Sequence, residues 1–129
     1  MTDLIRFRGV DFGEAFVEAV CSTFDVKRVI VNKGYGGAIT GYKFYFENDW
    51  CASVIFGPFS YSDNRDVRDK PEDEYFYVRR TNTAEIAGWH GSEGLHRFEG
   101  WDDTVKDYVK PFEIAEWMLG FAPLKGEGK

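Results

Sequence analysis

Residues 42–56 constrain the fold more than any other stretch. Tyr42, Phe44 and Phe46 alternate with Lys43, Tyr45 and Glu47, Asn48-Asp49 interrupts, and Trp50, Ala52, Val54 and Phe56 then alternate with Cys51, Ser53 and Ile55. A period of two places one set on each side of a pleated strand, and Asn-Asp between two such runs is hairpin-turn chemistry. The segment therefore predicts an antiparallel hairpin. Its face bearing Phe44, Phe46, Trp50 and Val54 needs at least one helix to cover it, and its other face is mixed. Gly57-Pro58 ends the second strand, because proline cannot donate to the ladder.

Helical spacing on either side supplies the cover. Phe12, Ala15, Phe16, Ala19 and Val20 recur at that spacing after Asp11, and Glu14 three residues on resembles a capping box, so a helix is expected over 11–24 with Glu14 and Glu18 in solvent. Pro111 suits the first position of a second helix whose inner face is Phe112, Ala115, Met118 and Leu119. Val29-Ile30-Val31 reads as a strand, and Gly34-Tyr35-Gly36-Gly37 as a turn. Residues 75–80 and 83–89 read as two further strands, and Val105, Tyr108 and Val109 as a short helical turn. The fold class is α+β: one antiparallel sheet of about five strands packed against an N-terminal and a C-terminal helix. The chain is expected to form a single domain over 1–123, with a flexible tail at 124–129.

Charge narrows the function. There are 22 Asp and Glu against 16 Lys and Arg, a net charge of −6, so the summed field repels phosphate backbones and direct nucleic-acid binding is not expected. The start of the sequence lacks the apolar run of a secretory signal, and no segment has the roughly 18 apolar residues of a membrane span. A cytoplasmic location, the cytosol of a bacterial host, is the expectation. Cys21 and Cys51 then stay reduced and read as buried small hydrophobes.

Catalytic patterns are missing. His90 and His96 have no recognised ligand spacing, Cys51 sits in mid-strand, and no Walker loop, Rossmann fingerprint or Gly-x-Ser-x-Gly occurs. Neither a metal nor a cofactor is expected, nor an enzyme. Recognition chemistry is better represented. The polar run 59–73 is long for a connection in a compact domain, and such loops are functional or mobile. It carries Tyr61, Asp63, Asn64, Arg65, Asp66 and Asp69. Next to it stand Arg79 and Arg80, which a strand would send to opposite faces, one within reach of Glu85. An arginine left free beside Tyr35, Tyr61 or Trp89 would combine guanidinium and ring in the way that grips a nucleotide or a carboxylate.

Three short motifs carry a resemblance: Ser53-Val54-Ile55-Phe56-Gly57-Pro58 with Tyr61, Thr83-Ala84-Glu85-Ile86-Ala87, and Tyr108 with Pro111 and Glu113. Over residues 50–119 the chain resembles small phage and prophage proteins of uncharacterised function. The resemblance implies a phage-like origin and brings no activity or site. The expectation is thus an acidic accessory protein that acts by binding, an anti-defence (anti-CRISPR-like) inhibitor of a bacterial protein with a basic, nucleic-acid-binding surface. One alternative is a sponge that sequesters a nucleotide second messenger through Arg79 or Arg80 and Trp89, Tyr61 or Tyr35. The other is a phage structural or morphogenesis protein. Homo-oligomerisation stays open.

Overall fold

In the computed structural model, which describes residues 4–69 and 71–126 and only the backbone of Tyr35, the hairpin forms the middle of the sheet. Strand β2 (Ile39–Phe46) pairs with β3 (Trp50–Ile55) in the register Tyr42↔Val54 and Phe44↔Ala52. Asp49 takes the positive φ of 69° that the turn requires. On the flanks lie β1 (Val26–Lys33), beside β2, and β4 (Ala84–His90), beside β3, with β5 (Val105–Val109) beyond β4. All five strands are antiparallel, in sequence order.

One face of this sheet is the core. Tyr42, Phe44, Phe46, Ala52, Val54 and Ile86 are buried on it under Phe12, Phe16, Ala19 and Val20. The last three belong to α1 (Glu14–Thr23). Phe16 meets Phe44 edge-on at 6.0 Å between centroids, and the Tyr42 hydroxyl donates to the Phe12 carbonyl. The second helical element of the core, α3 (Pro111–Met118), contributes Ile114, Ala115 and Met118. Trp117 of this helix, together with Phe98, lies against Gly88 so closely that a β-carbon there would come within 2.9 Å of Phe98. That close approach is why the strand carries glycine there.

Four expectations need correction. Residues 75–80 are not a strand: Phe76–Arg80 is a short helix, α2, which packs Tyr77 and Val78 into the core on the α1 side. Two consecutive buried residues break strand alternation but fit a helical face. Val105–Val109 is a strand and not a helical turn. Helix α1 starts at Glu14, with Gly13 and not Asp11 in the capping position. The Asp11 carboxylate accepts the Gly13 N–H at 2.9 Å, while Glu14 accepts the Tyr75 hydroxyl, so no capping box forms. In α3 the inner face uses Ile114, and Leu119 is exposed.

Leu124 bridges Phe24 and the Lys125 N–H reaches the Thr23 carbonyl, so these residues are tied to the end of α1. Residues 127–129 lie outside the described residues. Cys51 is buried and Cys21 half-buried, and burial pushes both thiols up, away from the reactive thiolate. Among the described residues, no helix is long and apolar enough to cross a membrane.

Candidate functional site

Because α1 and α3 pack on one face, the side chains that alternate with the core set form an open second face. Register fixes their arrangement in three rows. Arg28, Tyr45, Cys51 and Trp89 face one another across β1 to β4. The next row is Ile30, Lys43, Ser53, Ala87 and Val105, and the third is Gly41, Ile55 and Glu85. Two small residues, Ser53 and Ala87, therefore face each other in the middle, and larger ones stand around them. The result is a depression of about 530 Å³ walled by Lys43, Ile55, Glu85, Trp89, Leu95 and Val105. Its volume is within the roughly 300–1,000 Å³ usual for ligand sites.

Trp89 is held at one end. Its ring meets Tyr45 edge-on at 6.4 Å, and the Arg28 guanidinium lies 4.5 Å over the other ring of that pair, Tyr45. Glu93, Gly94 and Leu95 rim the depression from the connection after β4, which folds back because β5 stops short: the His96 N–H takes the Gly88 carbonyl at 2.8 Å. Both histidines are engaged with rings, His90 with Trp50 at 5.4 Å and His96 with Phe98 at 4.7 Å. Among the described residues no three His, Cys, Asp or Glu gather to hold a metal ion.

Glu85 closes the opposite end. Burial and the neighbouring Asp107 lift its carboxyl above the ordinary range, while the Tyr61 backbone N–H and Arg65 act the other way. A raised folded value means that the folded state keeps its proton to higher pH than the unfolded chain does. The carboxylate's cost is absent below the unfolded range and complete once pH has risen past the folded value. Glu85→Gln is thus expected to raise the melting temperature at about pH 7.5 and leave it unchanged at about pH 3.5, where the wild-type side chain is protonated in both states. Equal gains at the two pH values in thermal denaturation would show that ionisation is not the cause.

Of the residues singled out by sequence, the structure brings some together and separates others. Tyr61 and Arg65 meet, the guanidinium stacking 4.1 Å over the ring, and Arg68 does the same over Phe59. The Tyr61 carbonyl accepts the Tyr108 N–H on β5, so this patch adjoins the Glu85 end of the depression. Phe59 is 73% exposed and Tyr61 42%. Asp63 is exposed, its Oδ2 accepting the Asn82 N–H across the loop. Asp66 and Asp69 are exposed, Asp66 at 4.0 Å from Arg68.

Asn64 cannot be a surface residue. It is fully buried, and its amide donates to the carbonyls of Phe56 and Tyr77, each at 2.7 Å. Ser60 and Ser62 are buried beside it, joined at 2.8 Å. Over 59–67 the run is held by internal hydrogen bonds, the Phe59 N–H on the Arg65 carbonyl, the Arg65 N–H on that of Ser62 and the Val67 N–H on that of Asn64. Arg79 and Arg80 are also not where expected. Arg79 pairs with Asp73, not Glu85, in a hollow lined by Asp11, Glu14 and Tyr75, and Arg80 lies 5.0 Å over Phe76. That hollow is on the α1 side, so the sheet stands between Arg79 and Trp89.

Sequence reasoning missed Lys43, Ser53, Ile55, Glu85 as a site residue, Leu95 and Val105. Their signal is the facing of small Ser53 and Ala87 on adjacent strands, which only the register reveals. Comparison with protein families, with curated proteins and with solved structures finds no match.

Proposed function

We propose that the protein acts by binding and not by catalysis, as a phage-type anti-defence inhibitor that docks on a bacterial host protein through the open face of its sheet. The observation that carries this reading is that face itself. A half-buried tryptophan, Ile55, Leu95 and Val105 surround a small-residue floor with no helix over it, next to the Tyr61–Arg65 stack. Interfaces concentrate their energy in such aromatic and arginine anchors set in concave, desolvated places. The net charge of −6 favours a partner with a basic surface and speeds the encounter with it. Resemblance to phage proteins points to a host factor as that partner.

The nucleotide-sponge alternative is the weaker one. It needs Arg79 or Arg80 beside a stacking ring, and Arg79 is already neutralised by Asp73 on the far side of the sheet from Trp89.

Tagged protein is expected to capture one host protein from bacterial lysate in a defined complex. Ile55→Glu, which puts a charge on the open face away from the core, should lower its recovery by roughly thirtyfold, as should Trp89→Ala, the equivalent of about 2 kcal/mol for one anchor. Arg79→Ala should change little. Capture undiminished by both open-face variants, with their circular dichroism native, would overturn the reading, and so would recovery of a nucleotide released by heat.

A further inference from the structure

The two ends of the depression differ in chemistry. At one end Trp89 and Leu95 offer ring and branched aliphatic surface. At the other stands Glu85, with Asp107 beside it. Among the described residues Glu85 makes no ion pair, the five pairs being formed elsewhere. Arg65, a cation whose charge acts on it, is committed to the Tyr61 ring. Lys43, the one cation lining the depression among the described residues, comes from β2, two strands away from Glu85 and in a different row. The lining carboxylates, Glu85 and Glu93, outnumber it. Glu85 and Trp89 are four residues apart on β4, so their α-carbons are about 13 Å apart, with Ala87 as the low ground between them.

Resting on the docking reading above, we infer that the depression takes a short extended segment of the partner bearing an apolar side chain and, two residues on, an arginine. Residues i and i+2 of an extended chain point the same way at about 6.8 Å separation, and the reach of the arginine side chain covers the remainder of the span. The apolar side chain seats against Trp89 and Leu95. The aliphatic stem of the arginine crosses Ala87 and Ser53, and its guanidinium meets Glu85. Arginine is favoured over lysine because its planar fork engages a carboxylate through two N–H groups and is more weakly hydrated. A carboxylate held partly out of water with no counter-ion gains more from such a partner than a solvated one does. The charge pattern agrees with a basic partner surface, and a like segment with glutamate in place of arginine would bring a third carboxylate to Glu85 and Asp107.

The probe is the peptide acetyl-Leu-Ser-Arg-amide, titrated into the intact protein and followed by amide and indole chemical shifts. Saturable shifts are expected at Trp89, Ile55, Glu85 and Ala87, with a dissociation constant on the order of 1 mM. Glu85→Gln should weaken binding roughly tenfold. Acetyl-Ala-Ser-Arg-amide should lose the Trp89 shift and keep that at Glu85, and acetyl-Leu-Ser-Glu-amide should not bind. Protonation of Glu85 should also weaken the arginine peptide, in a setting where Asp107 and Arg65 act on Glu85, Lys43 and Glu93 line the depression, and Arg28 stands beyond Tyr45 at the Trp89 end. The inference is overturned if no saturable shift appears, if the shifts lie elsewhere, if Glu85→Gln binds equally well, or if the glutamate peptide binds as tightly. Peptide binding without any captured host protein would defeat the docking reading alone. A host protein captured through this face by a protein that ignores the peptide would defeat the inference alone.

Discussion

Phe44→Ala is expected to lower the free energy of unfolding by about 3–5 kcal/mol, the largest loss of any single truncation in the sheet. The ring is fully buried on β2, edge-on to Phe16 of α1 and 6.0 Å from Tyr42. Its cross-strand neighbours are Ala52 on β3 and, one strand further, Gly88. A cavity shrinks only as far as its neighbours can lean in, and here two of them are an alanine and a glycine with no side chain to spare. The cost should therefore sit toward the upper end of the range for a lost phenylalanine. Lys43→Ala, the adjacent residue on the open face, serves as the comparison and should cost less than about 0.5 kcal/mol. Urea denaturation of both variants checks the contrast. A loss under about 1 kcal/mol for Phe44→Ala would mean that the hairpin's core face is not the packed one.

That face was legible because two independent signals coincided, the period of two and the turn residues between the runs. Where only one signal existed, sequence misled. Tyr75-Phe76-Tyr77-Val78 has strand composition, yet Asp73 starts a helix there by accepting the Tyr75 N–H on its side chain and the Phe76 N–H on its carbonyl. A local hydrogen bond to an aspartate outweighed propensity. Val105, Tyr108 and Val109 have helical spacing for a different reason. In a regular strand residues 105 and 109 would share a face, but the register shifts between Ala84 and Ile86, and Tyr108 has a φ of 53°. Val105 consequently faces Ala87 on the open side while Val109 faces Ala84 in the core. An irregular strand leaves no period to read. The site suffers from a similar limit. Trp89 and the Tyr61–Arg65 pair stand out as residue types, whereas Ser53 and Ala87 gain meaning only by facing each other across β3 and β4. Arg79 looked available because its counter-ion, Asp73, lies across a helical turn that composition hid.

Asn64→Ala should destabilise the protein by roughly 2–5 kcal/mol, although it removes only a small polar side chain from what reads as a surface loop. The Asn64 amide holds two carbonyls at 2.7 Å, that of Phe56 where β3 ends and that of Tyr77 within α2. Alanine would leave both acceptors buried and unpaired, and each such group costs about 1–3 kcal/mol. No water-filled surface is at hand to replace the amide, because Phe56, Tyr77, Ser60 and Ser62 around it are buried too. Asn64→Asp should be at least as damaging, since it keeps the shape but presents oxygen to oxygen and adds a buried charge. The effect should also spread outward. The Phe59 N–H bonds to the Arg65 carbonyl, and the Arg65 N–H to that of Ser62, so the ring–guanidinium stacks depend on a loop that Asn64 pins. Hydrogen exchange at Phe59 and Arg65 should accelerate in Asn64→Ala far more than exchange at Phe44. Tyr61→Ala provides the converse, retaining stability within about 0.5 kcal/mol while weakening partner capture, because that ring is mostly outside the core. Should Asn64→Ala cost less than about 0.5 kcal/mol and leave exchange at Phe59 unchanged, the loop would be held by something other than these two hydrogen bonds, and its aromatic face would not be the preorganised surface that docking requires.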